Sequence, residues 1–357
     1  MEVICSGCSC LCDDIEIKGT VFWNACRKGT GRLKPVEGET DVKKINEAID
    51  LLNSSKKIGI YGGANLSNEG IKILFDLAEN LGAIFWNRDL IQRNLFLKAY
   101  EEWEIAKLDE IKDYGRFIMC WGSDNMNTHP RLLSRYIYFT HGEKTPKGYE
   151  DRILVPIDIE LTPTAVISLP YYVKLKKGTI SEIEKADKKE TKLVKHALEK
   201  AEHRYIIIGE RIIEEEDELD RFIKEYEMKV LPLAHGFNHY SLFEELLKRT
   251  KNISPYDFEN KEIAKEYKVD VLLIVGGNPF AKVPDSQEWA EKIITLDPFR
   301  SYTALKSEVW IKSALNGVCV STNAKRMDGE DVSIEALYQG KLLSDEEILR
   351  SILEGTT

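Results

Sequence analysis

Five of the seven cysteines lie within the first 26 residues, and four of them follow the pattern Cys5-x2-Cys8-x3-Cys12-x13-Cys26. Three thiolates from one tight loop and a fourth from a later return are how a cubane iron-sulfur cluster is held. A zinc knot with four cysteine ligands is the alternative. Zinc sites favour two C-x2-C units and the second is missing here, so the spacing favours the cluster. Cys10 is a fifth thiol, expected to face away as a bystander.

Three further stretches carry polar chemistry at the ends of apolar runs. Gly62-Gly63-Ala64-Asn65 and Gly276-Gly277-Asn278-Pro279 are glycine turns that would let backbone N–H groups approach a phosphate, although for either one alone a tight turn with no ligand is the commoner reading. Neither has the G-x-G-x-x-G spacing of a nicotinamide site. Trp121-Gly122-Ser123-Asp124-Asn125-Met126-Asn127-Thr128-His129-Pro130-Arg131 is dense in polar groups. There Ser123 fits a helix N-cap as well as a site, and His129 with Arg131 fits a structural hydrogen-bond pair. His235 and His239 flank Gly236 and Asn238 at a candidate pocket rim, with core hydrogen bonding as the other reading.

These residues need a scaffold. The 357-residue chain suggests two domains on a prior of roughly 150 residues each, and 43% apolar with 31% charged residues is an ordinary globular composition. Sixty acidic against fifty basic side chains leave a net charge of −10, which argues against nucleic acid as a partner. No apolar run reaches the length of a membrane span and no signal-peptide pattern opens the chain, so a reducing, cytoplasmic setting is expected, where clustered thiols bind metal.

Ile15, Ile17 and Val21 alternate as a small strand module around the cysteines. Ile45, Ala48, Ile49 and Leu52 then recur at helical spacing, as do Ile71, Leu74, Phe75 and Ala78. Short apolar runs at 57–63, 117–122, 205–209 and 271–277 alternate with such helices, the signature of βαβ units in a parallel sheet. The charged stretches 176–192 and 248–265 are expected as linkers. One internal echo stands out: Gly122 is followed by a strand and then Asp158-x5-Thr164-Ala165, and Gly276 by a strand and then Asp297-x5-Thr303-Ala304. Two related half-sites are expected.

The chain resembles the catalytic B subunit of formylmethanofuran dehydrogenase, in the molybdopterin oxidoreductase superfamily. The resemblance rests on Cys5-Ser6-Gly7-Cys8 through Cys12-Asp13-Asp14-Ile15, Asn24-Ala25-Cys26-Arg27, Trp121-Gly122-x6-His129-Pro130-Arg131-x3-Arg135-Tyr136, Leu296-Asp297-Pro298 and Arg326-Met327-Asp328-Gly329. It implies an α/β fold: an iron-sulfur module and lead-in helix over 1–50, then two doubly wound domains over 51–115 with 236–357 and over 116–235. The resemblance further implies a chain without the C-terminal β-barrel expected of other superfamily members.

It also implies a 4Fe-4S cluster on Cys5, Cys8, Cys12 and Cys26, and tungsten or molybdenum held by a bis-molybdopterin guanine dinucleotide. Gly62, Gly63, Gly122, His129, Arg131, Asp158, Thr164, Gly276, Asn278, Asp297, Thr303 and Arg326 become candidate dinucleotide contacts. Ser123 becomes the candidate metal ligand, and His235 or His239 the proton carrier. The implied chemistry is reduction of carbon dioxide to formate, with the cluster relaying electrons. Partners would be other subunits of an oxidoreductase complex, including a small β-barrel subunit, and ferredoxin-like electron carriers.

Four departures accompany the resemblance. Ser123 stands where the metal-binding cysteine or selenocysteine is expected, with Cys120 three residues too early. Asp158-Ile159-Glu160 replaces Asp-Pro-Arg, His235 replaces an arginine before Gly236, and a loop is shortened around 254–262. A non-catalytic iron-sulfur electron-transfer or scaffold subunit is therefore the alternative reading.

Overall fold

A computed structural model describes residues 1–87, 93–211, 216–249, 268–283 and 286–356. The expected loop shortening around 254–262 and most of the stretch 248–265 lie outside the described residues. The chain divides into two compact units: unit 1 is Met1–Ile91, His235–Arg326 and Glu330–Thr357, and unit 2 is Gln92–Ala234 with Met327–Gly329.

Unit 1 opens with a small antiparallel sheet of β1 (Glu2–Val3), β2 (Ile15–Lys18) and β3 (Val21–Trp23) around the cysteines. Its main sheet contains β4 (Ile58–Gly62), β5 (Ile84–Trp86), β11 (Val269–Val275), β12 (Ala290–Leu296) and β13 (Val309–Ile311), all parallel, in the order β13-β12-β11-β4-β5. β4 is buried throughout and β11 nearly so, as expected of a parallel sheet covered on both faces.

The helices begin where the sequence supplies caps. Asp41 accepts from the Lys43 N–H at the start of the helix Val42–Asn53, and Ser67 from the Gly70 N–H at the start of Asn68–Asn80. Ser344 and Glu347 form a capping box at the helix Asp345–Gly355, which packs against both. A hairpin of β14 (Thr322–Lys325) and β15 (Asp331–Ile334) completes the unit.

Unit 2 holds β6 (Phe117–Trp121), β7 (Ile153–Asp158), β8 (Val173–Lys174), β9 (Arg204–Ile208) and β10 (Lys229–Pro232), parallel and in the order β10-β9-β6-β7-β8. The stretch 176–192, expected as a linker, instead contains the helix Thr179–Lys185 and the start of Lys189–Lys200. Its high charge misleads because the two helices bury only a narrow stripe, Ile180, Ile183, Val194 and Leu198.

The two sheets share one spatial order. Taking β6, β7, β8, β9, β10 as equivalent to β11, β12, β13, β4, β5, each sheet reverses direction between its first and fourth strands. In such sheets ligands bind beyond the carboxyl ends of the strands at that switch point. The chain simply enters unit 1 at the fourth strand of the pattern.

Candidate functional site

The cysteine loop is held by its own backbone. The Cys5 N–H donates to the Cys12 carbonyl at 2.9 Å and the Leu11 N–H to the Cys8 carbonyl at 3.2 Å, with Leu11 in the left-handed region at φ 41°. That conformation costs a non-glycine residue roughly 1–2 kcal/mol. Leu11 offsets it by burying its side chain against Phe237, Ala324 and Ile334, worth about 1.5–3 kcal/mol.

Cys5 and Cys12 are buried and Cys8 and Cys26 half-buried. The Gly7 N–H donates to Cys5 Sγ at 3.3 Å, and a Cβ on either Gly7 or Gly29 would lie 3.2 Å from that sulfur. Burial pushes the Cys5 thiol up to about 12; the Gly7 N–H opposes this, and the charges of Cys8, Cys12 and Cys26 add to it.

Cys10 is not turned away from this group. It is fully buried and shares side-chain hydrogen bonds with both Cys8 and Cys12. It brings Cys8 down to about 7, helped by Lys28 against burial. Among the described residues no three His, Cys, Asp or Glu side chains converge on a single ion.

In unit 1 a cavity of about 220 Å³ opens at the switch point, lined by Arg32, Asn65, Gly276, Asn278, Asp297 and Asp345 among others. Burial raises Asp297 to about 6, against the Phe299 N–H at 2.7 Å and the charge of Arg32. Asp345 is likewise raised to about 6 by burial, and accepts from Asn316 Nδ2 at 2.9 Å. Arg32 donates to Ser6 Oγ at 3.3 Å and stacks over Phe237; burial lowers its pKa to about 10, opposed by the charges of Cys5, Asp297 and Asp345. One guanidinium therefore touches the cysteine loop and lines the cavity.

Thr303 stands behind this cavity as a brace. Its hydroxyl and N–H both donate to Asn278 Oδ1, at 2.8 and 3.0 Å, and the Phe280 N–H donates to the hydroxyl at 3.2 Å.

Unit 2 repeats the brace. The Thr164 hydroxyl and N–H donate to Asp124 Oδ1 at 2.8 and 3.3 Å, and the Met126 N–H to the hydroxyl at 3.1 Å. Gly122 (φ 60°) corresponds to Gly276 (φ 62°), and each N–H donates to the strand alongside, to Ile157 O at 2.7 Å and to Leu296 O at 2.9 Å. The echo seen in the sequence is thus one hydrogen-bond pattern built twice.

Above the turn the two units differ. In unit 1 Asn65 reaches the Gly276 carbonyl with its side chain, at 2.8 Å. In unit 2 the corresponding residue, Arg211, lays its backbone on the turn: its N–H donates to the Gly122 carbonyl at 3.1 Å, and a Cβ at Gly122 would fall 1.8 Å from Arg211 O. The Arg211 side chain pairs with Asp158 at 2.9 Å and with Glu160 at 3.2 Å. Asp158 is buried and raised by desolvation in spite of that partner. The Ser123 hydroxyl donates to Asn125 Oδ1 at 2.6 Å, and Asn125 Nδ2 to Cys120 Sγ at 3.1 Å, all within a buried shell.

The remaining candidates scatter. Gly62 and Gly63 close the β4 end, where a Cβ at Gly62 would lie 2.1 Å from Val275 O. Arg326 is buried in an ion pair with Glu330 and does not line the cavity. His129 is buried and Arg131 half-buried at the end of the polar stretch after β6. His235 is half-buried beside Gly236, and His239 is fully buried at the start of the helix His239–Arg249. Sequence reasoning misses Arg32, Asp345 and Arg211. Extending the echo to β4 and β9 aligns Asn65 with Arg211; Arg32 carries no local signal.

The fold and the site define a protein of two doubly wound α/β units, one carrying a cysteine loop beside a polar cavity at its switch point. This chain is a divergent relative of the B subunit of formylmethanofuran dehydrogenase. It is 24% identical over 431 residues to the B subunit of tungsten-containing formylmethanofuran dehydrogenase 2 of Methanocaldococcus jannaschii, covering 99% of this chain and 97% of that one. It is 23% identical to the protein of the same name from Methanococcus maripaludis, covering 99% and 98%.

Among solved structures, a chain of the formyltransferase/hydrolase complex from Methylorubrum extorquens in complex with methylofuran aligns with a TM-score of 0.63 at 17% identity, over 90% of this chain and 97% of that one. Acetylene hydratase from Pelobacter acetylenicus aligns with a TM-score of 0.53 at 11% identity, over 99% and 69%. At these identities both show the fold alone. No family model matches the chain. No described helix is long and apolar enough to cross a membrane.

Proposed function

We infer that this chain is the pterin-metal subunit of an oxidoreductase complex of the formylmethanofuran dehydrogenase type, working at the carbon dioxide and formate level. The observation that carries the reading is the position of Arg32, which hydrogen-bonds the cysteine loop through Ser6 and lines the cavity with Asp297. The tungsten-containing relatives support a pterin-bound metal, and the relatives' full-length match supports the same subunit role.

The residues fit a cluster on Cys5, Cys8, Cys12 and Cys26: glycines leave room around Cys5 Sγ, an N–H points at it, and the four thiols lie close enough for their charges to act on one another. When bound, a tungsten or molybdenum pterin supplies two-electron chemistry and a 4Fe-4S cluster relays single electrons.

The chain's own residues bind and orient. Arg32 offers a cation, and Asp297 and Asp345 offer acceptors for the donor edge of a base such as guanine. Thr303 holds the Asn278 side chain that shapes the turn. His235, half-buried, is the residue proposed to carry protons, in preference to the fully buried His239. Ser123 does not fit the ligand role as held, since its hydroxyl is committed to Asn125, and no step is assigned to it. Other subunits, a small β-barrel subunit among them, and ferredoxin-like carriers are the proposed partners.

Elemental and pterin analysis of protein purified without oxygen tests this reading. Iron, sulfide and one equivalent of tungsten or molybdenum are expected, with a brown colour and broad visible absorption. Iron and sulfide alone would instead favour a non-catalytic electron-transfer subunit, and zinc alone would overturn both.

A further inference from the structure

The two turns that the fold builds alike are not alike in access. In unit 1 the chain after β4 stands back from Gly276. The nearest atom to a Cβ placed there is Asn65 Cβ at 3.1 Å, and the cavity of about 220 Å³ begins at this point. That volume is below the roughly 300–1,000 Å³ of a pocket engulfing a whole drug-sized ligand, so it suits one end of a dinucleotide. Arg32 and Lys282 bring positive charge to its walls, and Asp297 and Asp345 bring carboxylates.

In unit 2 the chain after β9 lies directly on the turn. The Gly209 N–H donates to Trp121 O at 2.9 Å, as the Gly63 N–H does to Val275 O at 3.1 Å in unit 1, but a Cβ at Gly209 would fall 2.4 Å from Ser123 Cβ and 2.5 Å from Gly122 O. Arg211 then bonds the Gly122 carbonyl through its backbone. Its guanidinium is engaged by two carboxylates, Asp158 and Glu160, leaving this group one negative charge in excess. A diphosphate approaching here would meet backbone where it needs space and a net acid where it needs a cation. Ser123, the side chain that would face a ligand from this turn, is turned to Asn125.

The geometry points to a single pterin guanine dinucleotide per chain, seated on the unit 1 turn, with the equivalent turn of unit 2 closed by its own backbone and by the Asp158–Arg211–Glu160 ion pairs. This rests on the pterin reading above and changes its stoichiometry. Charge and close packing at 209–211 take the role in unit 2 that open space takes in unit 1.

The test counts nucleotide. Holoprotein purified without oxygen is hydrolysed in acid, and the released GMP is measured against chain and against tungsten or molybdenum. One GMP per chain and per metal is expected. Two per chain would overturn the single-site inference and leave the pterin reading standing, whereas none would overturn both. Location is read from Asp297→Asn and, from the opposite wall, Arg32→Leu. Each should lower GMP per chain about tenfold, the loss of one hydrogen bond to a charged group. GMP retained at the wild-type level in both variants would place the dinucleotide elsewhere and sink the proposal. The wild-type count needs no variant to fold.

Discussion

At the carboxyl ends of β11 and β6 the chain makes the same turn twice, with a positive-φ glycine, a short polar side chain two residues on, and a threonine bracing that side chain from the next loop. Unit 1 leaves space above the turn and brings Arg32 to it from the helix that follows Cys26; unit 2 covers the turn with 209–211 and neutralises its arginine locally. The repeated brace is a property of the fold, because it satisfies buried groups at the strand ends whether or not a ligand arrives. Access is a property of the residues laid over it, and those have diverged.

That contrast breaks most sharply at the cysteines. Cys12→Ala in unit 1 should abolish iron binding and the visible absorption. Cys120→Ala in unit 2 should keep both and cost roughly 1–3 kcal/mol for the Asn125 amide left without its acceptor. Loss of iron in the second variant, measured by elemental analysis, would mean that unit 2 supports the cluster.

Next in size is the pair of glycines. Gly122→Ala adds a Cβ that would overlap Arg211 O as well as the left-handed strain, together roughly 2–5 kcal/mol. Gly276→Ala faces the strain with a tolerable neighbour and should cost about 1–2 kcal/mol. Equal shifts in denaturant midpoint would show that unit 2's turn is as open as unit 1's.

Thr164→Val and Thr303→Val remove the same bonds from different acceptors. Loss at Asp124, a carboxylate, should cost about 1.5–3 kcal/mol, and loss at the neutral Asn278 about 0.5–1.5 kcal/mol. The reverse order in thermal melts would show that the acceptor's charge does not set the strength of the brace.

The smallest effect is with pH. Asp297 and Asp345 titrate near 6 when folded and near 4 when unfolded, so the folded state binds more protons between these values. Their contribution is fully present below about pH 4 and is lost as pH rises through about 6, by up to about 3 kcal/mol for each. Asp297→Asn should flatten the pH dependence of stability across that window. An unchanged profile would show that the carboxyl is not held protonated.

Much of the scaffold is legible in the order of residues alone. Apolar runs bounded by glycine signal β4, β6, β9 and β11, because a strand buried on both faces leaves a continuous hydrophobic string. The D-x5-T-A echo marks Thr164 and Thr303, whose role is to brace a neighbour. Spacing misleads at Cys10, because it singles out candidate ligands without saying which way a fifth thiol turns. Composition misleads over 176–192, because a helix burying one narrow stripe is mostly polar.

The sequence by itself determined the clustered thiols and the repeated turn, since cysteine spacing and glycine placement are local properties of the chain. Only the tertiary structure decided which turn is open. Arg32 meets Asp297, and Arg211 meets Asp158 and Glu160, across separations set by how each sheet brings distant loops together. Electrostatics and excluded volume at such points depend on distances in space, which no interval along the chain encodes.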